Sequence, residues 1–110
     1  MKKSLLLLLL VIFVPNITFA QGWSAPLTVT EVYVYGDQDT IEVVTDGGTQ
    51  YVPTCSVNAW EITATNAEGK NRIYSALLSA QISGKRVRFW YVDTCGGNGH
   101  HATNTLRLLP

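Results

Sequence analysis

The sequence predicts a mainly β domain with one α-helix, its five or six short strands forming a small barrel and the helix preceding the penultimate strand. Three observations predict it. Short runs rich in Val, Ile, Thr and Tyr alternate apolar and polar side chains, the two-residue period of a strand. Gly, Asp and Asn clusters separate these runs, and such residues favour turns. One stretch alone, around Ile73 to Ile82, switches to helical spacing.

The chain divides into residues 1–20 and 21–110. Lys2 and Lys3 form a short positive region, and Leu5 to Val14 is an unbroken apolar run of ten residues. Pro15 and Asn16 interrupt it, and Thr18-Phe19-Ala20 places small residues before a cut after Ala20. This is the pattern of a signal peptide. The run is too short to span a bilayer, which takes roughly 20 apolar residues. No Cys lies near the cut, so a lipid anchor is disfavoured as well. The expected location is periplasmic or secreted, with no stable membrane insertion after cleavage and one small domain over 21–110.

Within that domain, Leu27 to Tyr35 reads as a first strand, with Val32 and Val34 on one face and Glu31, Tyr33 and Tyr35 on the other. Thr40 to Thr45 is a second strand. Asp46-Gly47-Gly48 makes a hairpin turn, and Thr49 to Val52 returns as a third strand ended by Pro53. Val57 to Thr65 alternates Trp60, Ile62 and Ala64 with polar partners. Ile73, Leu77 and Ala80 then recur at helical spacing, predicting a helix over Arg72 to Ile82 with Asn71 as N-cap and Gly84 after its end. Lys85 to Val92 follows as a strand, with Val87, Phe89 and Tyr91 on one face and Arg88, Trp90 and Val92 on the other. Cys95 to His101 is a glycine-rich loop, and Thr105 to Leu109 is the last strand. This order matches an OB-like layout; a split sheet with the helix on one face is the alternative.

Two cysteines, Cys55 and Cys95, remain after the cut. An even count outside the cytoplasm reads as a disulfide.

The stretch Tyr74-Ser75-Ala76-Leu77-Leu78-Ser79-Ala80, then Ser83-Gly84-Lys85-Arg86-Val87, then a strand and Cys95, carries a resemblance. With Cys55 and Trp60 upstream, it resembles small secreted bacterial proteins similar to the subtilase cytotoxin B subunit. The resemblance covers about 40 residues. It implies an OB-like fold and, for the toxin members, a homo-pentamer that binds cell-surface glycans. No sugar-binding residue of those toxins aligns with a numbered position here.

Composition excludes one class. Residues 21–110 hold six basic side chains (Lys70, Arg72, Lys85, Arg86, Arg88, Arg107) against eight acidic ones, a net charge near −2. A dedicated nucleic-acid binder draws its affinity from neutralising phosphates and needs the opposite sign. There is no Gly-x-Ser-x-Gly elbow, and no other nucleophile pattern suggests an enzyme. Asp93, His100, His101 and Cys95 form the most metal-like group. Zinc needs three or four converging ligands, however, adjacent histidines diverge, and Cys95 is expected to be bonded. No cofactor or metal is therefore expected.

The aromatics are the remaining signal. Sugars present an apolar C–H face and a hydroxyl edge, so flat rings beside polar groups bind them. Tyr33, Tyr35, Arg88 and Trp90 lie opposite the proposed core and are the candidate ligand-binding residues. The competing reading places such rings in a thin core, most readily Trp60 and equally well Trp90. The expected function is a non-catalytic binding module for a glycan or protein partner, with homo-oligomerisation compatible. An accessory subunit of an envelope or secreted assembly and, last, a small metal-dependent enzyme are the alternatives.

Overall fold

A computed structural model describes residues 21–110; the signal-peptide expectation lies outside the described residues. Within them the protein is mainly β with one helix: β1 Gly22–Trp23, β2 Val29–Val34, β3 Ile41–Thr45, β4 Ser56–Ile62, α1 Ala67–Ser83, β5 Val87–Tyr91, β6 His100–Thr103 and β7 Leu106–Leu108. The strands form two sheets, a three-stranded one ordered β1-β5-β7 and a four-stranded one ordered β2-β3-β4-β6. No ladder joins them into a closed barrel. The chain nonetheless passes between them four times, at β1–β2, β4–β5 through α1, β5–β6 and β6–β7. Leu27 bridges to Val87 before β2 enters the other sheet, and the chain leaves β6 at Thr103 to enter β7 at Leu106.

The third expected strand is corrected. Residues 49–52 are irregular, and β3 pairs with β4 instead, through Ile41↔Ile62, Glu42↔Glu61 and Val43↔Trp60. The amides of Tyr51 and Val52 are satisfied elsewhere: both donate to His101 Nε2 at 3.1 Å. Asp46 does not close a hairpin either, because its Oδ1 accepts from the amide of Thr28. A second correction concerns the histidines. His100 and His101 begin β6, which runs parallel to β4, so three strands follow the helix rather than two.

The helix starts five residues earlier than its apolar spacing indicates. Asn66 has extended backbone and its Oδ1 accepts from the amide of Gly69, which satisfies one of the donors that a helix start leaves unpaired. Glu68 and Arg72 pair one turn apart. Gly84 ends the helix at φ 70°, the left-handed region that a side chain with a Cβ disfavours. Ile73, Leu77 and Ala80 face inward. Their neighbours are Val29, Ile41, Val43, Trp60 and Ile62 from one sheet and Val87 and Phe89 from the other. Burying a side chain such as Leu77 completely stabilises the fold by about 1.5–3 kcal/mol. Trp60 is in this core, its ring 4.9 Å from that of Phe89.

Cys55 and Cys95 form a disulfide, with Cα atoms 5.4 Å apart. It ties the start of β4 to the loop before β6. No helix among the described residues is long and apolar enough to cross a membrane.

Candidate functional site

Strand register decides which side chains meet. A bulge between Val29 and Glu31 resets the alternation of β2. Val29 therefore turns into the core while Glu31, Tyr33 and Tyr35 occupy the outer face. Tyr33 stands opposite Glu42, and Glu42 opposite Glu61. One row across the four-stranded sheet is thus Tyr33, Glu42, Glu61, on the face away from the apolar core. Both glutamates interrupt apolar runs, Ile41-Glu42-Val43 and Trp60-Glu61-Ile62, so their outward direction is legible in the sequence.

Their burial is not. Glu42 is 5% exposed and Glu61 2% exposed, because the loop anchored by Cys95 lies over them. Asn98 is the main contact. Its side-chain amide donates to Glu42 Oε1 at 2.6 Å, and its backbone amide to Glu61 Oε1 at 2.7 Å. The Tyr35 hydroxyl donates to Glu42 Oε2 at 3.1 Å, and the Tyr33 hydroxyl to Glu31 Oε2 at 2.9 Å. These bonds hold both phenols above their ordinary pKa, the hydrogen bond to Glu31 acting first for Tyr33 and that to Glu42 first for Tyr35. His100 Nε2 lies 3.9 Å from Glu42 Oε1, an ion pair only when the ring is charged. Two buried polar atoms next to this network lack a partner: Glu61 Oε2 and His100 Nδ1. Glu61 Oε2 rests on Gly96, where a Cβ would stand 1.3 Å from it. Only glycine permits that approach.

A cleft of about 270 Å³ opens beside Glu61 and Asn98 and is lined also by Asp39 and Lys70. Lys70 pairs with Asp39 at 2.6 Å, so the cleft is polar and already partly neutralised. A larger groove of about 420 Å³ runs between the start of α1 and the β6–β7 link.

The other predicted residues sit on the second sheet. Arg88 and Trp90 share the outer face of β5, with Trp23 opposite Trp90 and Arg107 opposite Arg88. Trp23 and Trp90 meet edge to face at 5.3 Å, and the Arg107 guanidinium lies 4.9 Å from the centre of the Trp23 ring. Tyr33 and Tyr35 therefore come together, as do Arg88 and Trp90, but the two pairs belong to different sheets. Sequence reasoning missed Glu42, Glu61, Asn98, Trp23 and Arg107. Trp23 and Arg107 become neighbours of the predicted pair only through cross-strand register.

The histidine pair divides as strand neighbours must. His101 turns inward and packs tilted against Trp60 and edge-on to Tyr51. Its Nε2 accepts two backbone bonds, so Nδ1 carries the proton and donates to the Ser56 carbonyl at 3.1 Å. Burial pushes its pKa below the usual 6.5, the Ser56 bond opposing and the charge of His100 assisting. Cys95 is held in the disulfide. Among the described residues no three His, Cys, Asp or Glu side chains are grouped to hold a metal ion.

No protein-family model matches this chain, and no curated protein matches it either.

Proposed function

We propose that the protein is an exported, non-catalytic module that binds a glycan through Tyr33 and Tyr35, with Glu31, Glu42 and Asn98 as the polar partners. One observation carries this reading. The two rings are 47% and 37% exposed, yet both hydroxyls are hydrogen-bonded to carboxylates. A sugar's C–H face can pack on a ring already held in place, which saves the ordering entropy that a mobile side chain loses on binding. Its hydroxyl edge can donate to the carboxylates, which are acceptors only. The disulfide supports export, since such bonds persist in oxidising compartments. The resemblance to B subunits of secreted toxins supports both an OB-like relationship and ring assembly as parts of the same reading.

The test is a glycan array probed with the folded, oxidised protein, followed by Tyr33→Ala and Tyr35→Ala. Removing a stacking ring should weaken capture of the preferred glycan about tenfold, and Glu42→Gln should alter which sugars are retained. Absence of any captured glycan from correctly folded protein would defeat the reading. It would favour an accessory subunit of an envelope or secreted assembly, a role supported by the exposed apolar Val34 and by Ile82, which is 86% exposed.

A further inference from the structure

We infer that the outer face of the three-stranded sheet docks on an anionic phospholipid surface. The charges are unevenly distributed between the two sheets. Of the six basic residues in 21–110, Lys85, Arg86, Arg88 and Arg107 belong to β5, its lead-in or β7. Glu31, Asp37, Asp39, Glu42, Asp46 and Glu61 belong to the four-stranded sheet and its turns. A chain of nearly balanced charge is therefore divided into a cationic sheet and an anionic one.

The cationic side is further organised by register. Arg86 accepts a backbone bond from Leu109, which extends the β5–β7 ladder by one pair. Alternation then places Arg86, Arg88 and Trp90 on one face, with Trp23 and Arg107 beside them from the flanking strands. Arg88 and Arg107 stand directly opposite one another, an arrangement that repulsion disfavours. Among the described residues neither has a carboxylate within ion-pair distance. Arg88 Nε is buried without a hydrogen-bond partner. With the exposed Arg86, these two arginines form a positive face to which an anion from outside the molecule can bind.

The shape of the face selects a bilayer as the source. The principal clefts are lined by other residues, so these side chains sit on an open sheet rather than around a small ligand. Two half-buried tryptophans lie among the arginines. Indole is amphipathic and settles at the boundary between lipid headgroups and acyl chains, while guanidinium groups bind phosphate at that depth. Docked this way, the four-stranded sheet carries its acidic groups away from the lipid. Different residues carry this proposal and the glycan reading, so each stands or fails separately.

The experiment uses the oxidised protein spanning residues 21–110 and large vesicles of phosphatidylcholine with and without phosphatidylglycerol, scored by sedimentation and tryptophan emission. Expected are binding to the phosphatidylglycerol vesicles alone, a blue shift of emission, and loss of both on adding salt. Arg107→Gln should weaken binding about fivefold, and Arg88→Gln with Arg107→Gln about 25-fold. Arg107 is exposed, so the single variant decides the matter if the double one does not fold. No binding by folded wild type, equal binding to pure phosphatidylcholine, or indifference to Arg107→Gln would each overturn the proposal. So would capture of a soluble acidic polysaccharide without any vesicle binding, which would assign the face to a sugar polymer instead.

Discussion

Replacing His101 by alanine tests how the core is held. The ring accepts the amides of Tyr51 and Val52 and donates to the Ser56 carbonyl, so one side chain fastens the irregular 49–52 segment to β4 and β6. Alanine leaves the buried Val52 amide unpaired, at about 1–3 kcal/mol where water cannot reach it, and the part-buried Tyr51 amide at a smaller cost. It also opens a cavity between Trp60 and Tyr51, whose ring centres lie 5.1 and 5.9 Å from the imidazole. A total loss of about 3–5 kcal/mol follows, a large part of the roughly 5–15 kcal/mol that holds a domain together. The assay is urea unfolding of oxidised protein followed by tryptophan fluorescence. It has a pH arm whose sign is fixed by the structure. The folded ring takes up a proton less readily than the unfolded one, so the unfolded state binds more protons as pH falls through about 6.5. The stability contributed by neutral His101 is present above that pH and declines below it. His101→Gln retains an acceptor but cannot titrate, so it should recover part of the loss and flatten the pH dependence. A cost below about 1 kcal/mol for His101→Ala would refute the reasoning, because it would mean these bonds are not what fixes residues 49–52.

Three further outcomes are expected. Cys55→Ser should cost about 4 kcal/mol, the closure entropy of a loop with the observed separation of 40 residues; equal melting temperatures with and without reductant would contradict it. Gly84→Val should destabilise by more than about 1 kcal/mol, since a β-branched residue is strained at φ 70°, and circular dichroism melts will show this. Gly96→Ala should cost about 1–3 kcal/mol, as its methyl group meets Glu61 Oε2 and lies within 2.9 Å of Glu61 Cβ. Combining it with Glu61→Ala, which removes the carboxyl clash but keeps the Cβ contact, should restore part of that loss in a double-mutant cycle.

The sequence made the strands with sustained alternation legible. Val87, Phe89 and Tyr91 against Arg88 and Trp90 is the clearest, and β5 has that arrangement. The end of the helix was equally readable, because Gly84 has a conformational reason to be there. Its start was not: Asn66 and Asn71 are both good caps, and the apolar spacing favours the later one although the first turn is solvent-facing. Residues 49–52 misled because a strand-like composition says nothing about which acceptor will claim its amides. A histidine fifty residues away claims two of them. The site was half legible for a similar reason. Tyr33, Tyr35, Arg88 and Trp90 do face outward, but sequence alone does not tell which outward faces coincide. That is decided by the division into two sheets and by strand pairing.

The parallel alignment of β6 beside β4 has a consequence for the order of assembly. A chain that emerges from its N-terminus has β2, β3 and β4 in hand early, yet both sheets wait for residues 100–108. Until these arrive, β4 offers a bare edge and Phe89 lacks its cross-strand partner Leu106. Such late, long-range closure slows folding and leaves the unfinished chain pliable. A shortened or tagged tail should therefore be felt through the whole molecule rather than at its end.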